Sequence, residues 1–126
     1  MPSRERVESF IALVCADPVR AIADYYHEDA SMQENLQPPR LGREVLMAHE
    51  AKALQRVTMY THPDPLFLVD GDNVVINWTF DATTKDGVTR RLNELALQRW
   101  RGDRISQERF VYDSASAWTV VEARDG

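Results

Sequence analysis

Val74-Val75-Ile76-Asn77-Trp78-Thr79-Phe80-Asp81-Ala82-Thr83 is the stretch on which the reading of this chain turns. Ile76, Trp78, Phe80 and Ala82 alternate with Asn77, Thr79, Asp81 and Thr83, the period-two pattern of a strand with one face in a core and one in water. Turn chemistry flanks it, with Asp70-Gly71-Asp72-Asn73 before, Asp86-Gly87 after and Gly102-Asp103 further on. Working outward, residues 59–69, 74–83, 88–101 and 104–112 are expected to form a four-stranded antiparallel meander. Pro63 and Pro65 make the first of these bulged, split or an edge strand, because proline has no N–H for a ladder.

Upstream of Val57 the period is helical. Ser3 is placed to cap a helix on which Val7, Phe10, Ile11 and Val14 recur at i, i+3, i+4 and i+7. Asp17-Pro18 opens a second helix, a capping side chain followed by a proline whose missing N–H costs nothing there. Val19, Ile22, Ala23 and Tyr26 repeat the spacing, which sets His27 in the last turn as a favourable end charge. Residues 30–36 read as a short strand leading to Pro38-Pro39, and residues 43–54, after Gly42, as a third helix. Helices first and a long sheet afterwards give an α+β class. The expected architecture is a cone-shaped α+β barrel, its N-terminal helices packed on the concave face of a strongly curved, mainly antiparallel sheet. Such a cone has apolar walls and one open mouth, a pocket by construction.

The length of 126 residues suits one domain, read as a core over 1–113 and a tail over 114–126 in which Trp118, Val120 and Val121 imply packing. Lys plus Arg total 15 against 20 Asp plus Glu, a net charge of −5 that disfavours nucleic acid and anionic membrane as partners. The single cysteine, Cys15, rules out an intrachain disulfide and a thiolate metal cluster, and is expected to be a small buried hydrophobe. No signal pattern and no apolar run near the ~18 residues of a membrane span are visible, so a cytoplasmic location is expected. The 5 glycines are scattered, leaving no phosphate loop, nucleophile elbow or dinucleotide fingerprint, and no cofactor is expected. The 3 histidines lack the close spacing of a zinc site, so no metal is expected either.

Several motifs carry a family resemblance. Phe10-Ile-Ala-Leu-Val14, Asp17-Pro18, Tyr25-Tyr26-His27-Glu28-Asp29-Ala30-Ser31 and Pro38-Pro39-Arg40-Leu41-Gly42-Arg43-Glu44 occur in that order, followed by Leu97-Gln98-Arg99-Trp100-Arg101-Gly102-Asp103-Arg104-Ile105. The pattern resembles the nuclear transport factor 2-like superfamily, closest to its ketosteroid isomerase and polyketide cyclase-like (SnoaL-like) branch. The resemblance implies a cone that dimerises through its sheet and binds small hydrophobic molecules. It places Glu34 where the isomerases carry their catalytic base. It also places Phe10 and Ala96 where those enzymes carry two hydrogen-bond donors to the enolate oxygen. Neither side chain can donate, and such donors are worth about 2.7–4 kcal/mol each, which weighs against the steroid isomerase reaction itself.

Strand alternation allows either Leu95 and Leu97 inward or Leu92, Glu94, Ala96, Gln98 and Trp100; the family register implies the second, and turns Glu108, Phe110 and Tyr112 inward with them. Glu34, Glu94 and Glu108 would then meet in one apolar cavity, where burial and mutual repulsion raise at least one pKa toward neutrality. The alternative is that they pair with Arg40, Arg43, Arg90, Arg99 or Arg109, or lie in water at the rim. His49 and His62 are either proton shuttles or ligand contacts inside the cone, or satisfied structural residues. Tyr26 is expected to pack, whereas Tyr25 either offers its hydroxyl to a ligand or sits at the rim. Trp78 and Trp100, with Phe80, are walls for a ring to stack on, or core filling. Two functions follow: cofactor-free acid–base catalysis of the cyclase or isomerase type on a small hydrophobic molecule, or a non-catalytic binding or dimerisation module. Outward-facing Leu95, Leu97 and Val111 predict a homodimer through the sheet.

Overall fold

The computed structural model describes residues 1–121. Helix α1 (Arg4–Ala16) starts at Ser3, whose Oγ accepts from the Arg6 N–H at 3.0 Å, and buries Val7, Phe10 and Ile11. Asp17 caps α2 (Pro18–Tyr25) by accepting from the Arg20 N–H at 3.1 Å. Strand β1 (Tyr26–Glu34) follows without a loop, then β2 (Arg40–Leu41) and α3 (Arg43–Leu54). Gly42, at φ +96°, makes the turn into α3 that a side chain would resist. The remaining strands are β3 (Val57–Thr61), β4 (Phe67–Asp70), β5 (Asn73–Thr84), β6 (Thr89–Arg101), β7 (Arg104–Val111) and β8 (Thr119–Val120).

The sheet runs β2-β1-β7-β6-β5-β3, with β4 also on β5 and β8 also on β6. All pairings are antiparallel except β1 with β7, which makes the sheet mixed. The three helices cover its concave side, and the whole is an α+β cone. Val7, Phe10 and Ile22 from the helices form one buried cluster with Val74, Ile76, Trp78, Ala96, Trp100 and Ile105 from the strands. Phe10 is the hub, with ring centroids 5.3 Å from Tyr25, 6.1 Å from Tyr26, 6.4 Å from Trp78 and 6.1 Å from Trp100.

Three irregularities shape the pocket end. Opposite β5, Thr61 pairs with Phe80 and Phe67 with Ile76, so residues 62–66 loop out against residues 77–79. Of the three outcomes predicted for the Pro63 and Pro65 interruption, the strand is split. On β7, Arg99 faces Gln107 while Trp100 faces Ile105, leaving Ser106 as a bulge. That extra residue reverses the phase, so Ile105 and Glu108 both point inward although their spacing is odd. Beyond Leu95, the edge of β6 that carried β7 is taken up by β8, which pairs with Arg90 and Arg91.

Several local expectations need correction. Helix α2 ends at Tyr25, so His27 lies in β1, bonded to the Arg101 carbonyl at 2.7 Å instead of closing a helix. The short strand begins at Tyr26, not residue 30, because the buried stripe of α2 is Ala21, Ile22 and Tyr25 and is complete one residue before Tyr26. Cys15 is exposed, since it stands off the α1 stripe of Val7, Phe10 and Ile11. The tail is only partly docked: β8 pairs with β6, but so short an edge strand leaves Trp118 and Val120 exposed, and residues 122–126 of the predicted 114–126 segment lie outside the described residues.

Candidate functional site

The open end of the cone holds a cavity of about 220 Å³. Phe10 and Val14 of α1, Ile22 of α2, and Trp78 and Phe80 of β5 supply apolar walls. Trp78 stacks on Phe80 with centroids 5.5 Å apart, and Phe110, Tyr112 and Trp118 extend the aromatic lining. Into this surface project four carboxyl groups, Glu34 from β1, Glu50 from α3, Glu94 from β6 and Glu108 from β7.

Their surroundings differ. Glu94 is 7% exposed and has neither a hydrogen bond nor an ion pair among the described residues. No fully buried polar side-chain atom lacks a partner there, so the Glu94 oxygens face the cavity. Burial, and then the charges of Glu108, Glu34 and Glu50, push its pKa up to about 8. Glu108 is buried but well partnered. The Tyr26 hydroxyl donates to its Oε1, and the Gln98 amide donates to its Oε2 at 2.5 Å. Trp100 Nε1–H in turn donates to Gln98 Oε1 at 3.0 Å, fixing which way that amide points. Burial raises the Glu108 pKa to about 7, while the two donors restrain the rise and Glu50 adds to it. Tyr26, wholly buried beside this carboxylate, is held well above the ordinary phenol range.

Glu50 is raised by burial and by the nearby Glu34. Glu34 sits at the rim, its side chain 42% exposed and 3.7 Å from the Arg40 guanidinium. One cavity therefore contains a protonated acid facing open space, a second acid clamped by two donors, and two further carboxyls nearer the solvent. The arrangement can give a proton at Glu94 and take one at Glu108 near neutral pH. Among the described residues no three His, Cys, Asp or Glu groups converge as a metal site would require.

A family model described as the SnoaL-like domain matches residues 7–124. The chain belongs to the SnoaL-like family. Its fold is also that of a proposed SnoaL-like polyketide cyclase from Mesorhizobium loti, at TM-score 0.73 and 24% identity over 89% of this chain and 100% of that one. A proposed polyketide cyclase from Pseudomonas putida superposes at TM-score 0.80 with 18% identity, covering 96% of this chain and 99% of the other. A protein with a ketosteroid isomerase-like fold from Catenulispora acidiphila, solved with trimethylamine, gives TM-score 0.74 and 18% identity over 91% of this chain and 90% of that one. A comparison with curated proteins found no match.

The SnoaL-like cone sorts the residues singled out from sequence. Glu34, Glu94 and Glu108 do line one cavity, as do Phe10, His49, Trp78, Phe80, Phe110 and Tyr112. Tyr25 does not line it: its ring is buried against Phe10, with the Arg6 guanidinium 4.0 Å from its centroid. His62 is also outside, bonded to Asp81 Oδ2 at 2.8 Å where β3 breaks off. Ala96 and Gln98 face inward but lie beneath the lining, Ala96 in the core and Gln98 under Glu108. Trp100 is core filling, not wall.

Sequence reasoning missed Tyr26 as a donor, and Glu50 and Trp118 as lining residues. Glu50 follows His49 on α3 and could have been found by extending the Leu46–Ala53 stripe by one position. Trp118 gave no positional signal, because a loop with φ +59° delivers it. Among the described residues no helix is long and apolar enough to cross a membrane.

Proposed function

We infer that the cavity binds a small hydrophobic molecule and moves a proton on it without a cofactor, in the manner of a cyclase or isomerase. Glu94 is the acid, protonated because burial among carboxylates opposes its charge. Glu108 is the base, aimed by Tyr26 and Gln98. Phe10, Trp78 and Phe80 hold the apolar body of the substrate and keep water away from the pair. Glu34, the base by resemblance, is the weaker choice, since Arg40 already neutralises it at the rim. The observation that carries this reading is the unpartnered Glu94 carboxyl, buried and turned into an apolar hollow.

The test is deuterium uptake at the α-carbon of a small cyclic ketone in D₂O. Wild-type protein should promote it, and Glu94→Gln or Glu108→Gln should each slow it by about 10²-fold or more. Uptake unchanged in both variants would overturn the assignment. Phe10 and Ala96, which offer no donor to an enolate, favour a second reading as a non-catalytic binding module. Under it the ketone binds, yet no uptake occurs even in the wild type.

A second copy of the chain is the partner we infer for the convex face. Leu95 is 41% exposed there, beside Leu97 and Val111. Sedimentation at micromolar concentration should give twice the 14.5 kDa chain mass, and a monomer alone would count against it.

A further inference from the structure

The charges lining the cavity are unbalanced in one direction. Four carboxyls face it, from β1, α3, β6 and β7, and the one guanidinium in the lining, Arg40 of β2, is already committed to Glu34 at 3.7 Å. His49, on the exposed side of α3, forms no ion pair with Glu50 among the described residues. The hydroxyls of Tyr26 and Tyr112 stay neutral, both being held above the usual phenol range. Among the described residues, the lining therefore holds no Lys or Arg side chain that is free of a carboxylate. The walls lean the same way, because the faces of Trp78, Phe80 and Trp118 carry the negative side of an aromatic quadrupole. The Glu94 carboxyl, on a residue only 7% exposed, makes no hydrogen bond among the described residues and opens into the hollow, as a place built for an occupant would have it.

We propose that the ligand is an apolar molecule bearing a protonated basic nitrogen, which Glu50 and Glu34 receive at the outer end of the cavity over the aromatic walls. This inference rests on the cavity being a ligand site, and adds the ligand's charge to that reading. It divides the carboxyls by task. Glu94 and Glu108, deeper and linked through the strands, handle protons; Glu50, beside Glu34, reads charge. An ammonium arriving next to Glu50 would favour its ionised form, so the Glu50 proton leaves to solvent as the cation binds. Affinity for the cation should accordingly rise as pH climbs from the ordinary carboxylate range toward neutrality. A neutral ligand of the same shape has no reason to show that rise.

The experiment compares benzylammonium, benzyl alcohol and benzoate by calorimetry at pH 7.5 and again at about pH 5, in the ordinary carboxylate range. At pH 7.5 benzylammonium should bind about tenfold tighter than benzyl alcohol or better, benzoate should bind weakest, and only the amine should bind more weakly at the acid pH. Glu50→Gln should bring the amine to within about threefold of the alcohol, the loss expected for one charge-assisted contact. The wild-type series decides the matter by itself if that variant does not fold. An alcohol or benzoate binding as tightly as the amine would overturn the proposal, as would an amine preference untouched in Glu50→Gln. Failure of deuterium uptake with this charge order intact would instead remove only the acid–base assignment.

Discussion

Glu94 and Glu108 are the same residue type on neighbouring strands of one cavity, and their partners give them different chemistry. Glu108 accepts from Tyr26 and Gln98, so its charge is partly met; Glu94 has no donor and keeps its proton to a higher pH. Tyr26→Phe removes one of the donors and should raise the Glu108 midpoint above about 7, read by carbon-13 NMR of the carboxyl. A midpoint that stays put would show that the hydroxyl does not hold the carboxylate. The same variant leaves a buried acceptor short of a partner and should cost about 1–3 kcal/mol in a denaturant melt. Glu94 and Glu108 could be placed inward from the sequence only because the family register chose a phase, since alternation along β6 allowed Leu95 and Leu97 inward as well. Their partners could not, since Tyr26 lies 82 residues from Glu108 in the chain and meets it only across the parallel β1–β7 pairing.

Among the elements, the helices and long strands were legible wherever a side chain or a period marks them. Ser3, Asp17-Pro18 and the alternation of β5 each have a direct local cause. What escaped were the junctions. The direct step from α2 into β1 carries no glycine or proline, and the stripe through Tyr26 continues a helical spacing past the true end. The β7 bulge at Ser106 is likewise silent in sequence, although it is what turns Glu108 and Ile105 to the same side. Phe10, at the centre of α1, ties that helix to both α2 and the sheet. Phe10→Ala should lose about 3–5 kcal/mol of stability, measured by chemical denaturation, whereas a loss below 1 kcal/mol would deny it the role of hub. The segment before β8 places Trp118 against the cavity that Glu94 faces. Trp118→Ala should admit water and lower the Glu94 midpoint from about 8 toward the ordinary carboxylate range.

The whole molecule carries these buried acids as a cost to its stability. Both carboxyls have folded-state pKa values above the ordinary 4.5, so between that pH and 7–8 the folded state binds more protons than the unfolded one. Stability therefore falls as pH rises through this window, and the full deficit is present above it. At the acid end the sign reverses. Arg91 and His62 hold Asp81 down at about 2, a contribution present above the ordinary 3.8 and lost as pH falls below it. Thermal melts should accordingly show greatest stability on the acid side of neutrality, and Glu94→Gln should flatten the decline toward pH 8. Such a penalty fits the proposal that the hollow is kept for a ligand and not only for packing. The most direct measurement is a pH titration of the Glu94 and Glu108 side-chain carboxyls by NMR. Midpoints near 8 and 7 are the predicted result, and two midpoints near 4.5 would contradict the account.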